Sequence, residues 1–134
     1  MIDYQILIYP CLDFSKVYDS QLEFKENCYI LVPHVRAFYR NNLLNGDDSL
    51  LNSPKLSPIL EKDLSKIPRT LLILAQLDPL RDQGIAYHKR LIESNVKCEL
   101  RIVQGVIHGF FKHPVQMKNA FFELKHHIVE FLNE

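Results

Sequence analysis

The stretch Thr70 to Gln76 (TLLILAQ) narrows the choice of fold more than any other part of the chain. It is apolar on both parities and bounded by polar and turn residues, so a strand built from it must be covered on both faces. Strands of that kind belong to parallel sheets with helices packed above and below. The opening run Tyr4 to Tyr9 (YQILIY), closed by Pro10, has the same character, because Ile6, Leu7 and Ile8 occupy both parities. A third run, Val96 to Val103 (VKCELRIV), alternates enough to be a strand and ends before Gln104 and Gly105.

Helical periods separate these runs. From Pro33 to about Leu44, a proline suited to the first helical turn precedes Val35, Phe38, Tyr39 and Leu43, one apolar stripe, and Asn45 to Asp48 supply the stop. Pro79 to Asn95 places Leu80, Gly84, Tyr87 and Leu91 at helical spacing. Pro114 to Asn133 does the same with Met117, Phe121, Leu124, Ile128 and Phe131, a stripe read as packed core. Cys11 to Asn27 reads as loop with helical turns, and Asn52 to Arg69, broken by Pro54, Pro58 and Pro68, as a long connection. Strand followed by helix followed by strand implies an α/β fold with a parallel sheet.

At 134 residues the chain fits a single domain spanning 1–134. Sixteen basic side chains balance sixteen acidic ones, so there is no basic excess of the kind that nucleic acid or an anionic membrane surface requires. Apolar residues at 47% are enough for a packed core, and no apolar stretch approaches the ~20 residues of a membrane span. There is no signal-peptide pattern at the start. Cys11, Cys28 and Cys98 are odd in number and lack CxxC spacing, which argues against a disulfide framework or a structural zinc site and for a cytoplasmic setting.

In open α/β sheets reactive groups gather past the carboxyl ends of strands. Asp78 directly follows the second strand, and His108 lies a few residues past the third, within Gly105-Val106-Ile107-His108-Gly109-Phe110. An acid and a histidine so placed can meet, the carboxylate fixing the imidazole tautomer and the imidazole serving as general base. Simpler roles are available to each: Asp78 can cap the helix that begins near Pro79, and His108 can be satisfied by backbone. Phe110 and Phe111 fit the wall of an acyl pocket or the core equally well. His126 and His127, adjacent on a helix, cannot aim both rings at one metal, and with His34, His88 and His113 they read as solvated. Cys11, just past the first strand, is a weaker candidate nucleophile, as are the serines, since no base adjoins it in sequence.

Ser57-Pro58, Asp63-Leu64, Ile67-Pro68, the strand that follows, Asp78-Pro79-Leu80-Arg81-Asp82, Gly84, Tyr87, Arg90-Leu91 and His108-Gly109-Phe110 resemble the carboxyl-terminal half of hormone-sensitive-lipase-type α/β hydrolases. Leu7-Ile8-Tyr9-Pro10 matches the strand after the nucleophile elbow of that family. The resemblance implies a partial α/β-hydrolase fold, three parallel strands with flanking helices and the upstream half of the sheet missing. It further implies that Asp78 is the acid and His108 the base of a Ser-His-Asp triad acting on carboxylic esters or lipids, without metal or organic cofactor. Asp82 fits a first-turn carboxylate that complements the helix dipole. The family's nucleophile elbow, G-x-S-x-G, and its His-Gly-Gly-Gly-type oxyanion motif are both absent, since the four glycines at 46, 84, 105 and 109 bracket no serine in that pattern. The chain by itself is therefore expected to be nearly inert toward esters. An alternative is a non-catalytic module that dimerises through the apolar edge of its first strand.

Overall fold

The computed structural model describes residues 2–26 and 29–134. Asn27, the last residue of the first expected loop, and Cys28 lie outside the described residues. The elements in chain order are β1 (Tyr4–Ile8), a short α1 (Asp19–Glu23), α2 (Pro33–Leu44), β2 (Arg69–Leu77), α3 (Arg81–Glu93), β3 (Cys98–Ile107) and α4 (Lys118–Asn133). The three strands form one sheet in the order β1-β2-β3, both pairings parallel, with Tyr4 opposite Arg69 and Thr70 opposite Cys98. These are the three parallel strands with flanking helices expected from the sequence.

β2 is central, and Leu71 to Ala75 are at most 1% exposed. One face of the sheet meets α4, where Leu71, Ile73, Ala75, Val103 and Phe110 pack with Leu124 and Phe131. The other face meets α3, where Tyr87 and Leu91 join Leu12, Ile59 and Leu64. The close approach of α3 depends on Gly84, because a Cβ there would lie 2.5 Å from Cδ2 of Leu74.

Several expectations need correction. β1 is only half-buried, with Tyr4 exposed, because it is an edge strand and has one neighbour instead of two. The apolar stripe of α2, whose cover the spacing left open, is largely uncovered: Phe38, Tyr39 and Leu43 are all more than half exposed, and only Leu44 is buried in this helix. α4 begins at Lys118, four residues after Pro114, because the segment from Pro114 forms turns first.

β3 differs in a way that matters for the site. It continues through Gly105 to Ile107, where the ladder resumes with Leu77 opposite Ile107 after Ala75 opposite Val103. Two residues on β2 are thus matched by four on β3, a bulge. Gly105 sits at φ +68, a conformation glycine adopts without penalty. Its N–H donates to Oε1 of Gln76 at 2.8 Å, so a side chain supplies the bond that the ladder loses.

Candidate functional site

Asp78 and His108 are the residues immediately after the Leu77–Ile107 pair, so the bulged register delivers them side by side. Oδ2 of Asp78 is 2.8 Å from Nδ1 of His108. Its other oxygen, Oδ1, accepts the N–H of Leu80 at 2.8 Å, and its carbonyl accepts the N–H of Arg81 at 2.9 Å. The capping role and the pairing with histidine therefore coexist, one oxygen to each. A carboxylate only accepts, so in a neutral imidazole facing it Nδ1 carries the proton and Nε2 is left as the acceptor. The Asp78 side chain is 1% exposed and that of His108 20%, a carboxyl group sealed behind an imidazole that reaches solvent.

Sequence reasoning missed the residues that hold this pair. Tyr9, at φ +37 just past β1, lies edge-on to the His108 ring with centroids 4.5 Å apart and touches Phe110 at 5.7 Å. Burial, and then the charge of Asp78, raise its phenol above the ordinary range. Buried Gln83 on α3 accepts the N–H groups of Leu12 and Asp13 at 2.6 and 2.8 Å, tying the loop after β1 to the helix behind Asp78. Ser20 and Asp82 exchange backbone and side-chain bonds, the Ser20 N–H donating to Asp82 at 2.8 Å, which binds α1 to the first turn of α3. Asp82 is thus engaged with α1 and Arg81, away from His108. None of these partners is periodic or part of a short motif, and only the turn at Gly105 hinted at the bulge.

His108 opens on a groove of about 940 Å³ between the loop after β1 and α2, walled by residues such as Ile8, Leu31, Val35 and Leu43. Phe110 and Phe111 do not line it. Phe110 is fully buried in the core, and Phe111 stacks on Phe121 with centroids 5.8 Å apart. Of the other histidines, His34 and His113 are exposed, whereas His88 is half-buried. His127 corrects the expectation of solvation: its side chain is only 18% exposed and lies between Glu123 and Glu130, while His126 pairs with Glu130 at 3.2 Å. No helix among the described residues is long and apolar enough to cross a membrane.

Cys11 lines the same groove, but the only side-chain hydrogen bond of His108 among the described residues is the one to Asp78. Desolvation of its sulfur is the main cause that pushes the Cys11 thiol up to about 11, and burial does the same to Cys98. Both thiols are free. Although Cys11 is exposed as a whole, its desolvated, protonated sulfur should be slow to react. Alkylation of Cys11 by iodoacetamide at pH 7.5, followed by peptide mass mapping, is expected to run ~100-fold slower in the folded chain than in urea and to accelerate as pH rises. Equal rates would restore Cys11 as a candidate nucleophile.

A family model described as the alpha/beta hydrolase fold matches residues 1–112. An arylesterase from Saccharolobus solfataricus is 43% identical over 64% of this chain and 28% of its own length. An ethyl acetate hydrolase from Pseudomonas putida is 31% identical over 81% of this chain and 33% of its own. Among solved structures, an α/β hydrolase enzyme from the metagenome of Lake Arreo superposes with a TM-score of 0.83 at 31% identity, over 93% of this chain and 39% of that one. A Pyrobaculum calidifontis esterase gives 0.82 at 29% identity, over 98% of this chain and 44% of its own. The chain thus spans about a third of the length of the curated relatives it matches.

Proposed function

The chain belongs to the α/β-hydrolase fold family, and from that premise we propose that it is the part of a serine carboxylic-ester hydrolase that supplies the acid and the base. The observation that carries this reading is the 2.8 Å contact between a buried Asp78 and a groove-facing His108 at the ends of adjacent parallel strands. With Nδ1–H held by Asp78, Nε2 of His108 takes the proton of an attacking serine hydroxyl and later returns it to the departing alcohol. Asp78 orients the ring and stabilises the imidazolium that forms, without itself taking the proton. The serine and the oxyanion donors come from residues outside these 134, which contain no G-x-S-x-G and no paired glycines. The substrates are carboxylic esters, as the relatives' names support.

Two preparations test this. The chain alone, folded by circular dichroism, is expected to take no fluorophosphonate adduct by intact mass and to hydrolyse p-nitrophenyl butyrate no faster than buffer. Fused behind the oxyanion and nucleophile segments of an esterase relative, it is expected to give serine-dependent turnover. An adduct on the chain alone would overturn the division of labour, and a folded but inert fusion would overturn the acid and base assignment. The rival reading, a dimer through β1, rests on the strand's unpaired outer edge. Sedimentation that stays monomeric at every concentration speaks against it.

A further inference from the structure

The groove beside His108 carries an unbalanced charge. Lys16, Arg36, Arg40 and Lys112 line it, and Asp13 is the one acid among the described residues that does. The Asp13 carboxylate is already consumed: one oxygen accepts the N–H and hydroxyl of Ser15, and the other accepts the Tyr18 hydroxyl at 2.7 Å. Of the cations, Arg40 has Asp48 at 3.4 Å, and the Lys16 ammonium lies 4.7 Å from the centre of the Tyr18 ring. Arg36 differs from both. It forms no ion pair with the described residues, and its Nη1 is buried without a hydrogen-bond partner.

A guanidinium N–H that has left water and found no acceptor is a standing cost, and an acceptor bound in the groove beside Arg36 would offset it. Burial holds the Arg36 guanidinium below its ordinary range, and its charge in turn acts on the thiol of Cys11, so the cation sits against the loop after β1. The same groove has apolar walls at Ile8, Leu31, Val35 and Leu43, which suit a short carbon chain. A neutral acyl chain would leave the guanidinium unanswered, whereas a carboxylate would accept from it with charge assistance, and in a fork geometry that an ammonium cannot offer.

We propose that the groove selects esters that carry a carboxylate, monoesters of short dicarboxylic acids, with Arg36 receiving the carboxylate while the ester end lies at His108. This rests on the reading of His108 as the general base. Arg36 is then a specificity-determining residue, separate from the acid and base themselves.

Binding to the 134-residue chain tests the proposal without any need for turnover. Monomethyl glutarate and methyl valerate have the same five-carbon acyl chain and differ in the carboxylate. In amide NMR titrations at low salt, monomethyl glutarate is expected to bind about 10-fold or more tightly than methyl valerate and to shift resonances of both α2 and the His108 segment. Arg36→Gln should erase the preference, and Arg36→Lys should retain part of it, with amide dispersion unchanged in both. Equal affinity for the two esters, a preference that survives Arg36→Gln, or shifts confined to α2 would each overturn the proposal. Failure of the catalytic reading looks different: the fused enzyme would be inert toward methyl valerate and monomethyl glutarate alike, whatever the chain binds.

Discussion

In the fused enzyme, His108→Ala is expected to lower kcat for p-nitrophenyl butyrate by about 10⁶-fold, because without a proton acceptor the serine hydroxyl is not activated and the remaining groups cannot substitute for it. Asp78→Asn should cost about 10⁴-fold by a different route. The amide can still accept from the Leu80 N–H that Oδ1 now holds, so the start of α3 keeps its cap. Toward His108, however, an amide N–H in place of Oδ2 would draw Nδ1 into accepting and move the ring proton to Nε2, the atom that must receive the serine proton. Circular dichroism should be unchanged in both variants. A loss of less than 10-fold for Asp78→Asn would mean that the 2.8 Å contact is structural only.

The largest effect on stability is expected at Phe110. The ring is fully buried, packs in the cluster between the sheet and α4, and touches Tyr9 with centroids 5.7 Å apart. Phe110→Ala should lower unfolding free energy by about 3–5 kcal/mol, through lost transfer energy and the cavity left behind. A domain of this size has only ~5–15 kcal/mol in total, so the variant is expected to be substantially unfolded in mild urea. A shift equivalent to less than about 1 kcal/mol would show that Tyr9 and Met117, also packed against this cluster, close over the gap.

The fold and the meeting of Asp78 with His108 were legible in the sequence for the same reason: both follow from strands buried on two faces. Leu71 to Ala75 reads as a strand covered on both faces, which the burial bears out, and the residues after such strands are where loops converge. Periodicity failed where coverage was absent. The stripe of α2 is plain in the spacing, yet Phe38, Tyr39 and Leu43 face the groove side or solvent, since spacing reports that a helix is amphipathic but not what covers it. The end of β3 was misplaced because Gly105 in a strand is as compatible with a stop as with a bulge, and the side chain of Gln76 that decides between them lies on another strand. Gln83, Tyr9 and Arg36 act through neighbours 25 to 99 positions away in the chain, Gln83 on Leu12, Tyr9 on His108 and Arg36 on Cys11, and no local pattern encodes such contacts.

The bulge at Gly105 also says which insertions and deletions such a chain can tolerate. Asp78 and His108 are adjacent because Leu77 opposes Ile107, a pairing set inside the two strands and indifferent to how long the crossover between them is. Residues gained or lost in the turn around Ser94 and Asn95 change the path and leave the pair in place, as surface connections generally allow. A single residue lost between Val103 and Ile107 would instead carry the histidine to the opposite face of the sheet. Over descent, length variation should therefore collect in the crossover, while the stretch from Val103 to His108 keeps a fixed count even where its side chains drift.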